Sequence, residues 1–246
     1  MTAPLVDAHA HLGGAQELAA RREIFTILCG VDPIDAASVL QLRGEHVEVS
    51  CALHPWHVEK HRVEDMTPYL NAAPVIGEIG LDCVWTEADM DCQRRAFTRQ
   101  LDIAAEMGKP VVLHTKGMEA EIARTLARYD LVKLVHWYSC EEHLERYLDQ
   151  DCYFTVGPDV AVNPAVQAVA RRAPLNRLLT ETDGLDAVAW ALNRPVSPEE
   201  LPEVLRGELQ AIASLKGVSE TQAREAVWQN MRRFLGNTSP ADKKHI

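Results

Sequence analysis

The chain of 246 residues is long for one ordinary domain, and its 47% content of hydrophobic residues is enough for a large core. Its net charge of −11 argues against a broad basic surface for duplex nucleic acid, although a local positive cleft stays open. The N-terminus lacks the charged region of a signal peptide, no apolar run approaches the roughly 18 residues of a membrane span, and the six scattered cysteines form no CxxC pattern. We therefore expect a cytoplasmic protein with reduced thiols and no membrane association.

Short runs rich in β-branched and aliphatic residues recur along the chain, as expected for strands that are buried on both faces. There are eight of these predicted strands, at 5–9, 23–29, 47–53, 74–80, 110–114, 131–136, 152–157 and 177–182. The sequence contains no internal repeat and no linker rich in Gly, Ser or Pro, so the strands belong to one domain.

Helical patterns separate most of these strands and also close the chain. They cover 33–43, 87–107, 118–128, 141–149, 164–172, about 198–215 and 219–235. In the longest of them, Thr86 is the predicted N-cap and Gly108 the predicted C-terminal stop.

Eight alternating strands and helices in about 250 residues predict a single-domain (β/α)₈ TIM barrel over 1–236, with a polar C-terminal tail at 237–246. A doubly wound open sheet is the alternative fold.

The first predicted strand carries the sequence DAHAHL, in which two histidines lie two residues apart. Residues i and i+2 of a strand point to the same face, so Asp7, His9 and His11 should project together. Neutral imidazole is the commonest metal ligand, and this pair on a stiff strand suits a metal ion. Asp7 would either orient one of these ligands or simply cap the strand. The alternative for the histidines is a solvent-facing strand edge.

Four other predicted strands end in a residue that can bind a metal. These residues are Glu78, His114, His136 and Asp183. In a (β/α)₈ barrel the carboxyl ends of the strands form one rim, so all of them should meet the histidine pair there. Each alone has a structural explanation, such as a hydrogen-bonded core histidine or a helix N-cap at Asp183. Six such residues at the same end of five strands instead indicate a metal centre.

These segments resemble the TatD family of metal-dependent hydrolases, within the amidohydrolase-like barrel group. The resemblance covers about 230 residues and rests on the segments DAHAHL, CALHPW, GEIGLD, QRRAFTRQ, VVLHTK, VHWYSC, LLTETD and WQNMRRFL. Four positions depart from the family pattern. Cys51 and Ala52 replace the usual residues of the family's Gly-x-His-Pro segment, many members have arginine at the place of Lys116, and glycine is common at the place of Cys140.

The resemblance implies a site for two divalent metal ions, which could be Zn²⁺, Mn²⁺, Mg²⁺ or Co²⁺. It assigns His9, His11 and Asp183 to one ion, His114 and His136 to the second, and Glu78 to a bridge between them. Asp183 is also the candidate proton acceptor.

The resemblance further implies hydrolysis of a phosphodiester, possibly single-stranded or end-exposed DNA. His54 is a candidate substrate contact at the same rim, and Lys116 could hold a phosphate oxygen as a point charge. Trp85, Trp137 and Trp190 fall in predicted rim loops, where they either stack bases or pack the loops. The alternatives are hydrolysis of a carboxyl ester or amide at the same centre and a non-catalytic barrel that only binds a ligand.

Overall fold

A computed structural model of the protein describes residues 2–236, so the predicted tail at 237–246 lies outside the described residues. Its strands form one sheet in which every neighbouring pair is parallel and the strand order follows the chain. The strands are β1 (Leu5–Ala10), β2 (Ile24–Gly30), β3 (Val47–Cys51), β4 (Val75–Asp82), β5 (Val111–Lys116), β6 (Lys133–Val135), β7 (Tyr153–Val156) and β8 (Leu178–Thr180). All eight predicted strands are therefore confirmed, with ends that move by a few residues.

The first and last strands lie side by side, which nearly closes the sheet into a barrel. The hydroxyl of Thr180 at the end of β8 donates to the carbonyl of Val6 in β1 at 2.6 Å. Just beyond β8, the backbone N–H of Asp183 donates to the carbonyl of His9 at 3.0 Å. This geometry confirms the (β/α)₈ barrel, and the alternative of a doubly wound open sheet is wrong because the strand order never reverses.

Ten α-helices follow or precede these strands within residues 2–236. They are α1 (Ala15–Ala20), α2 (Pro33–Leu40), α3 (Thr67–Ala72), α4 (Met90–Met107), α5 (Glu119–Leu126), α6 (Leu144–Leu148), α7 (Pro164–Arg172), α8 (Leu185–Leu192), α9 (Leu201–Lys216) and α10 (Glu220–Phe234). The seven predicted helices are confirmed, whereas α1, α3 and α8, with six, six and eight residues, were missed.

The ends of α4 show one correct and one wrong prediction. Gly108 does end the helix, with a φ of 62° that favours glycine. Thr86 is not the N-cap, because the helix begins three residues later, where Asp89 accepts a hydrogen bond from the backbone N–H of Cys92 at 2.8 Å. The hydroxyl of Thr86 instead accepts from the N–H of Ala88 within the preceding loop. No helix among residues 2–236 is both long and apolar enough to cross a membrane.

Candidate metal centre

The six predicted metal ligands lie together at the carboxyl ends of the strands. His9 and Glu78 are fully buried within β1 and β4, and His114 is buried in β5. The three others follow directly after a strand or close to one: His11 after β1, His136 after β6 and Asp183 after β8. Segments that are far apart in the sequence thus converge on one rim, as the strand pattern predicts.

One group of four side chains surrounds a common point. The Nε2 atoms of His9 and His11 lie 3.3 and 3.4 Å from Glu78 Oε2, and both lie 3.4 Å from Asp183 Oδ1. Ligands held tetrahedrally at about 2.0–2.1 Å from a metal ion are roughly 3.3–3.4 Å apart. His9 Nε2 and Asp183 Oδ1 are moreover buried without a hydrogen-bond partner among the described residues. The spacing and the unpaired donor atoms fit a divalent ion.

A second group uses the other oxygen of the same carboxylate. Glu78 Oε1 lies 2.5 Å from His114 Nδ1 and 2.7 Å from His136 Nε2. These two imidazole nitrogens are 3.3 Å apart. Glu78 therefore presents one carboxylate oxygen to each group of histidines, and Oε1 lies within direct hydrogen-bond distance of both His114 and His136.

Two acidic residues that the sequence analysis missed contact the far side of these imidazoles. Asp82 Oδ2 lies 2.9 Å from His114 Nε2, and Glu181 Oε2 lies 3.6 Å from His136 Nδ1. Histidines that bind metal commonly donate their other ring N–H to such a carboxylate. The sequence held a signal for both acids, since Asp82 is an even number of positions from Glu78 in β4 and Glu181 lies two residues before Asp183.

The charges in this buried space need compensation. Burial opposes ionisation of Glu78, but the charges of His136, His54 and His114 outweigh it and lower the pKa of the carboxyl well below its usual range. Burial likewise lowers the pKa of His136, yet the Glu78 carboxylate outweighs it and raises that pKa to about 9. Positive charge is thus favoured around Glu78, and either protons on the imidazoles or bound cations can supply it.

The backbone after β8 is strained at the residue that reaches toward the first group. Asp183 has a φ of 58°, and the next residue, Gly184, has a φ of 96° and packs against the backbone carbonyl of His11. A Cβ at Gly184 would lie 2.5 Å from that oxygen, so only glycine fits. Such strain clusters at functional sites, where the surrounding structure holds it in place.

The family profile described as "TatD related DNase" matches residues 6–236 of the chain. The chain belongs to the TatD family. The uncharacterized metal-dependent hydrolase YcfH of Escherichia coli K12 is 28% identical over 255 residues, covering 94% of this chain and 95% of that protein. A putative deoxyribonuclease of Danio rerio, tatdn3, is 28% identical over 187 residues, covering 71% and 68%. This chain is therefore a metal-dependent hydrolase of the TatD family.

A solved structure supports the fold of this TatD-family chain. The crystal structure of YjjV, a TatD homologue from Escherichia coli K12, superposes with a TM-score of 0.83 at 24% identity, covering 95% of this chain and 98% of that one. At that identity the likeness concerns the barrel architecture alone.

Two further predicted residues lie beside the histidine groups. His54 Nε2 is 3.6 Å from Glu78 Oε2, and burial lowers the pKa of the His54 imidazole to about 4. Its Nδ1 accepts a hydrogen bond from the backbone N–H of Trp56 at 3.2 Å, which fixes the ring. Lys116 lines a cavity together with His114, and its ammonium donates to the hydroxyl of Ser139 at 2.8 Å. Both residues therefore face the rim.

Asp7 contacts Thr182 and Arg21, which lie beside the candidate ligands. Its carboxylate accepts hydrogen bonds from the backbone N–H and the hydroxyl of Thr182, at 2.9 and 2.6 Å, and pairs with Arg21. The pairing of β1 with β2 shifts register between Asp7 and Ala10. A bulge of this kind re-aims side chains, so Asp7 contacts the residue that precedes Asp183 and not a histidine.

Proposed function

We propose that the protein holds two divalent metal ions and hydrolyses phosphodiesters. The proposed ligands of one ion are His9, His11 and Asp183, those of the other are His114 and His136, and Glu78 bridges. The observation that carries this proposal is the position of Glu78, whose two oxygens each lie within 3.4 Å of a separate pair of imidazoles. Nitrogen and carboxylate donors suit Zn²⁺, Mn²⁺ or Co²⁺ and tolerate Mg²⁺.

When bound, the two ions would polarise a phosphoryl oxygen and make water at the centre more acidic. Asp183 is the residue best placed to accept the proton of that water. Its side chain is 21% exposed and lines the cavity, whereas Glu78 is 1% exposed. Burial opposes ionisation of Asp183, but the nearby imidazoles of His9, His136 and His11 outweigh it and lower the pKa of the Asp183 carboxyl. The carboxylate is therefore ionised and ready to accept a proton at neutral pH.

The proposed substrate is DNA that is single-stranded or has an exposed end. The family is described as TatD related DNase, and one relative is named a putative deoxyribonuclease. The net charge of −11 disfavours a broad contact with duplex phosphates, so recognition must come from the rim itself. Lys116 is the one lysine or arginine among the described residues that line the aromatic cavity beside the histidines, and it would pair with a non-bridging phosphate oxygen.

The same centre could instead polarise the carbonyl of a carboxyl ester or amide, and the barrel could also bind a ligand without catalysis. Lys116 separates these functions because only a phosphodiester carries an anion for its ammonium. Lys116→Met should lower kcat/KM for a phosphodiester about ten- to a hundredfold, the equivalent of roughly 1.5–3 kcal/mol for a charged hydrogen bond. Lys116→Arg should keep most of this activity, since arginine retains the charge and adds a second donor.

The measurement is a panel of phosphodiester and neutral ester or amide substrates, assayed with the wild type and both variants. Lys60→Met is the matched control, because Lys60 is exposed and lies outside the cavity. The Met variant at position 116 should act on a neutral ester as the wild type does. Unchanged phosphodiester turnover in Lys116→Met would remove the support for phosphate recognition, and hydrolysis of esters alone would favour the first alternative. A folded protein that hydrolyses nothing in the panel would favour the binding barrel.

A further inference from the structure

Four of the five tryptophans of the chain lie at one side of the barrel mouth. They come from four different segments and line the same cavity: Trp56 after β3, Trp85 after β4, Trp137 after β6 and Trp190 in α8. The fifth, Trp228, is in α10 and packs against Phe25 with ring centroids 5.2 Å apart. Trp137 belongs to the buried core, whereas Trp56, Trp85 and Trp190 are exposed.

Three of these rings form a continuous surface, which we call the tryptophan wall (Trp85, Trp137 and Trp190). Trp190 packs edge to face against Trp85 and against Trp137, with centroids 6.1 and 6.0 Å apart. Trp137 is 6% exposed, and its indole N–H donates to Asp159 Oδ1 at 2.9 Å, so this ring is fixed. Trp85 and Trp190 are 56% and 64% exposed. The wall thus presents two large aromatic rings to solvent on a rigid base.

Such exposure is costly for a folded protein. Each of the two indoles, 56% and 64% exposed, forgoes part of the about 1.5–3 kcal/mol that complete burial of a large apolar side chain contributes. Exposed aromatic surface that is contiguous and rimmed by polar groups marks a binding site. The two exposed rings come from the loop after β4 and from α8 and contact each other, so their exposure does not come from one frayed segment.

The wall adjoins the proposed metal centre directly. The cavity of about 270 Å³ that it lines is also lined by His114, His136 and Asp183. Pockets for drug-sized ligands usually measure about 300–1,000 Å³, so this one suits a single ring system. Lys116 lines the same cavity and supplies a positive charge there. A ligand that fits here is planar and aromatic at one end and anionic at the other.

We propose that the tryptophan wall is a subsite for one nucleobase, that of one of the two nucleotides joined by the scissile phosphodiester. The base stacks on the Trp190 indole, and Trp85 and Trp137 form the wall of the subsite beside it. The phosphate faces Lys116 and the histidines. Every nucleobase has an aromatic face, so this contact is tolerant of sequence but requires an unpaired base. The subsite therefore deepens the proposed function, on which it rests, by selecting single-stranded or frayed ends over an intact duplex.

The first test compares a deoxydinucleotide with an analogue that lacks both bases, one on each side of the scissile phosphate, using the metal-loaded protein. Stacking of one base is worth about 1–3 kcal/mol, which corresponds to roughly a 5- to 150-fold change in kcat/KM. The wild type should prefer the complete dinucleotide by a factor in this range, and Trp190→Ala should lose most of that preference. Trp190→Phe should keep most of it, because phenylalanine also stacks.

The matched control is Val132→Ala, an exposed apolar residue directly before β6 and thus at the opposite end of the barrel. It should keep the wild-type ratio of kcat/KM between the two substrates. If the wild type hydrolyses both substrates and Trp190→Ala keeps the wild-type ratio, the subsite is wrong although the proposed function stands.

A binding measurement separates the two proposals when hydrolysis is absent. Quenching of tryptophan fluorescence should report thymidine 5′-monophosphate with an affinity about 5- to 150-fold tighter than deoxyribose 5-phosphate. Trp190→Ala should reduce this difference. Base-dependent binding without turnover would support the subsite and overturn the phosphodiesterase proposal, whereas equal affinities of the wild type for both ligands would overturn the subsite.

Discussion

Asp82 is the residue whose replacement most sharply probes how the barrel orients the second group of histidines. Its Oδ2 accepts hydrogen bonds from His114 Nε2 at 2.9 Å and from the indole N–H of Trp56 at 2.7 Å. Its Oδ1 accepts from the backbone N–H groups of Val84 and Trp85 at 2.7 and 2.8 Å. Burial opposes ionisation, but these four donors outweigh it and lower the pKa of the Asp82 carboxyl. The aspartate is thus an acceptor at both oxygens.

Asp82→Asn keeps the size of the side chain but converts one acceptor into a donor. In either orientation of the amide, its NH₂ group faces two N–H donors. If these are the donors of His114 and Trp56, then His114 loses the partner that fixes its ring. Replacing such outer partners of a metal-binding histidine typically costs 10- to 100-fold in metal affinity, or about 1.4–2.8 kcal/mol. We expect a loss in this range for the ion that His114 and His136 are proposed to bind.

The assay is a titration of the metal-free protein with a divalent ion in competition with a chromophoric chelator. Asp102→Asn is the control, because Asp102 accepts a comparable hydrogen bond from the Tyr129 hydroxyl at 2.8 Å on the outside of the barrel. Thermal unfolding should show both variants folded. A folded Asp82→Asn protein with the metal affinity of the wild type would refute the role assigned to Asp82.

Two further predictions concern stability. Chelation of the metal should abolish hydrolysis yet leave the circular dichroism of the barrel intact, because the large apolar core does not depend on an ion as a zinc finger does. Loss of the helical signal on chelation would contradict this prediction. Burial and the charges of Asp7 and Glu181 raise the pKa of the Glu208 carboxyl well above its usual value. Between the unfolded and the folded pKa, the native state therefore binds a proton that the unfolded state has lost. The free energy of unfolding then falls as the pH rises above the unfolded pKa, by at most about 1.4 kcal/mol per pH unit. Glu208→Gln should therefore match the wild type near pH 5 and unfold at a higher temperature than the wild type near pH 8. Glu203→Gln, on the exposed face of the same helix, should unfold as the wild type does at both pH values. Equal pH dependence of the unfolding temperature in Glu208→Gln and the wild type would refute the role assigned to Glu208.

The barrel and the position of its rim could be predicted from the sequence because both depend on local patterns. Strands that are buried on both faces appear in the sequence as short aliphatic runs. Eight such runs that alternate with helices are compatible with only a few strand orders, and the barrel is one of them. The candidate ligands follow from the same periodicity, since His9 and His114 sit at the ends of such runs. A parallel barrel brings all carboxyl ends of its strands to one face, so no knowledge of side-chain packing was needed to place them together.

The residues that support the site could not be placed in this way because their roles depend on contacts between distant segments. Asp82 acts through an imidazole that β5 supplies, and Asp7 acts through Thr182 because a bulge in β1 turns it away from His9. The sequence did not decide whether Trp85, Trp137 and Trp190 bind bases or pack the loops, because their edge-to-face contacts require the segments after β4, β6 and β8 to meet. The structure resolves their contacts, and two of the rings stay exposed.

The metal content per chain tests the proposed dinuclear centre most directly. Mass spectrometry of the purified, reloaded protein should find two divalent ions per chain in the wild type. Glu78→Ala should lose most of both ions along with hydrolysis, because its two oxygens face both groups of histidines, while the exposed Glu64→Ala control should keep them. A wild type that binds only one ion at saturation, or a Glu78→Ala protein that keeps two ions and full turnover, would contradict the dinuclear centre.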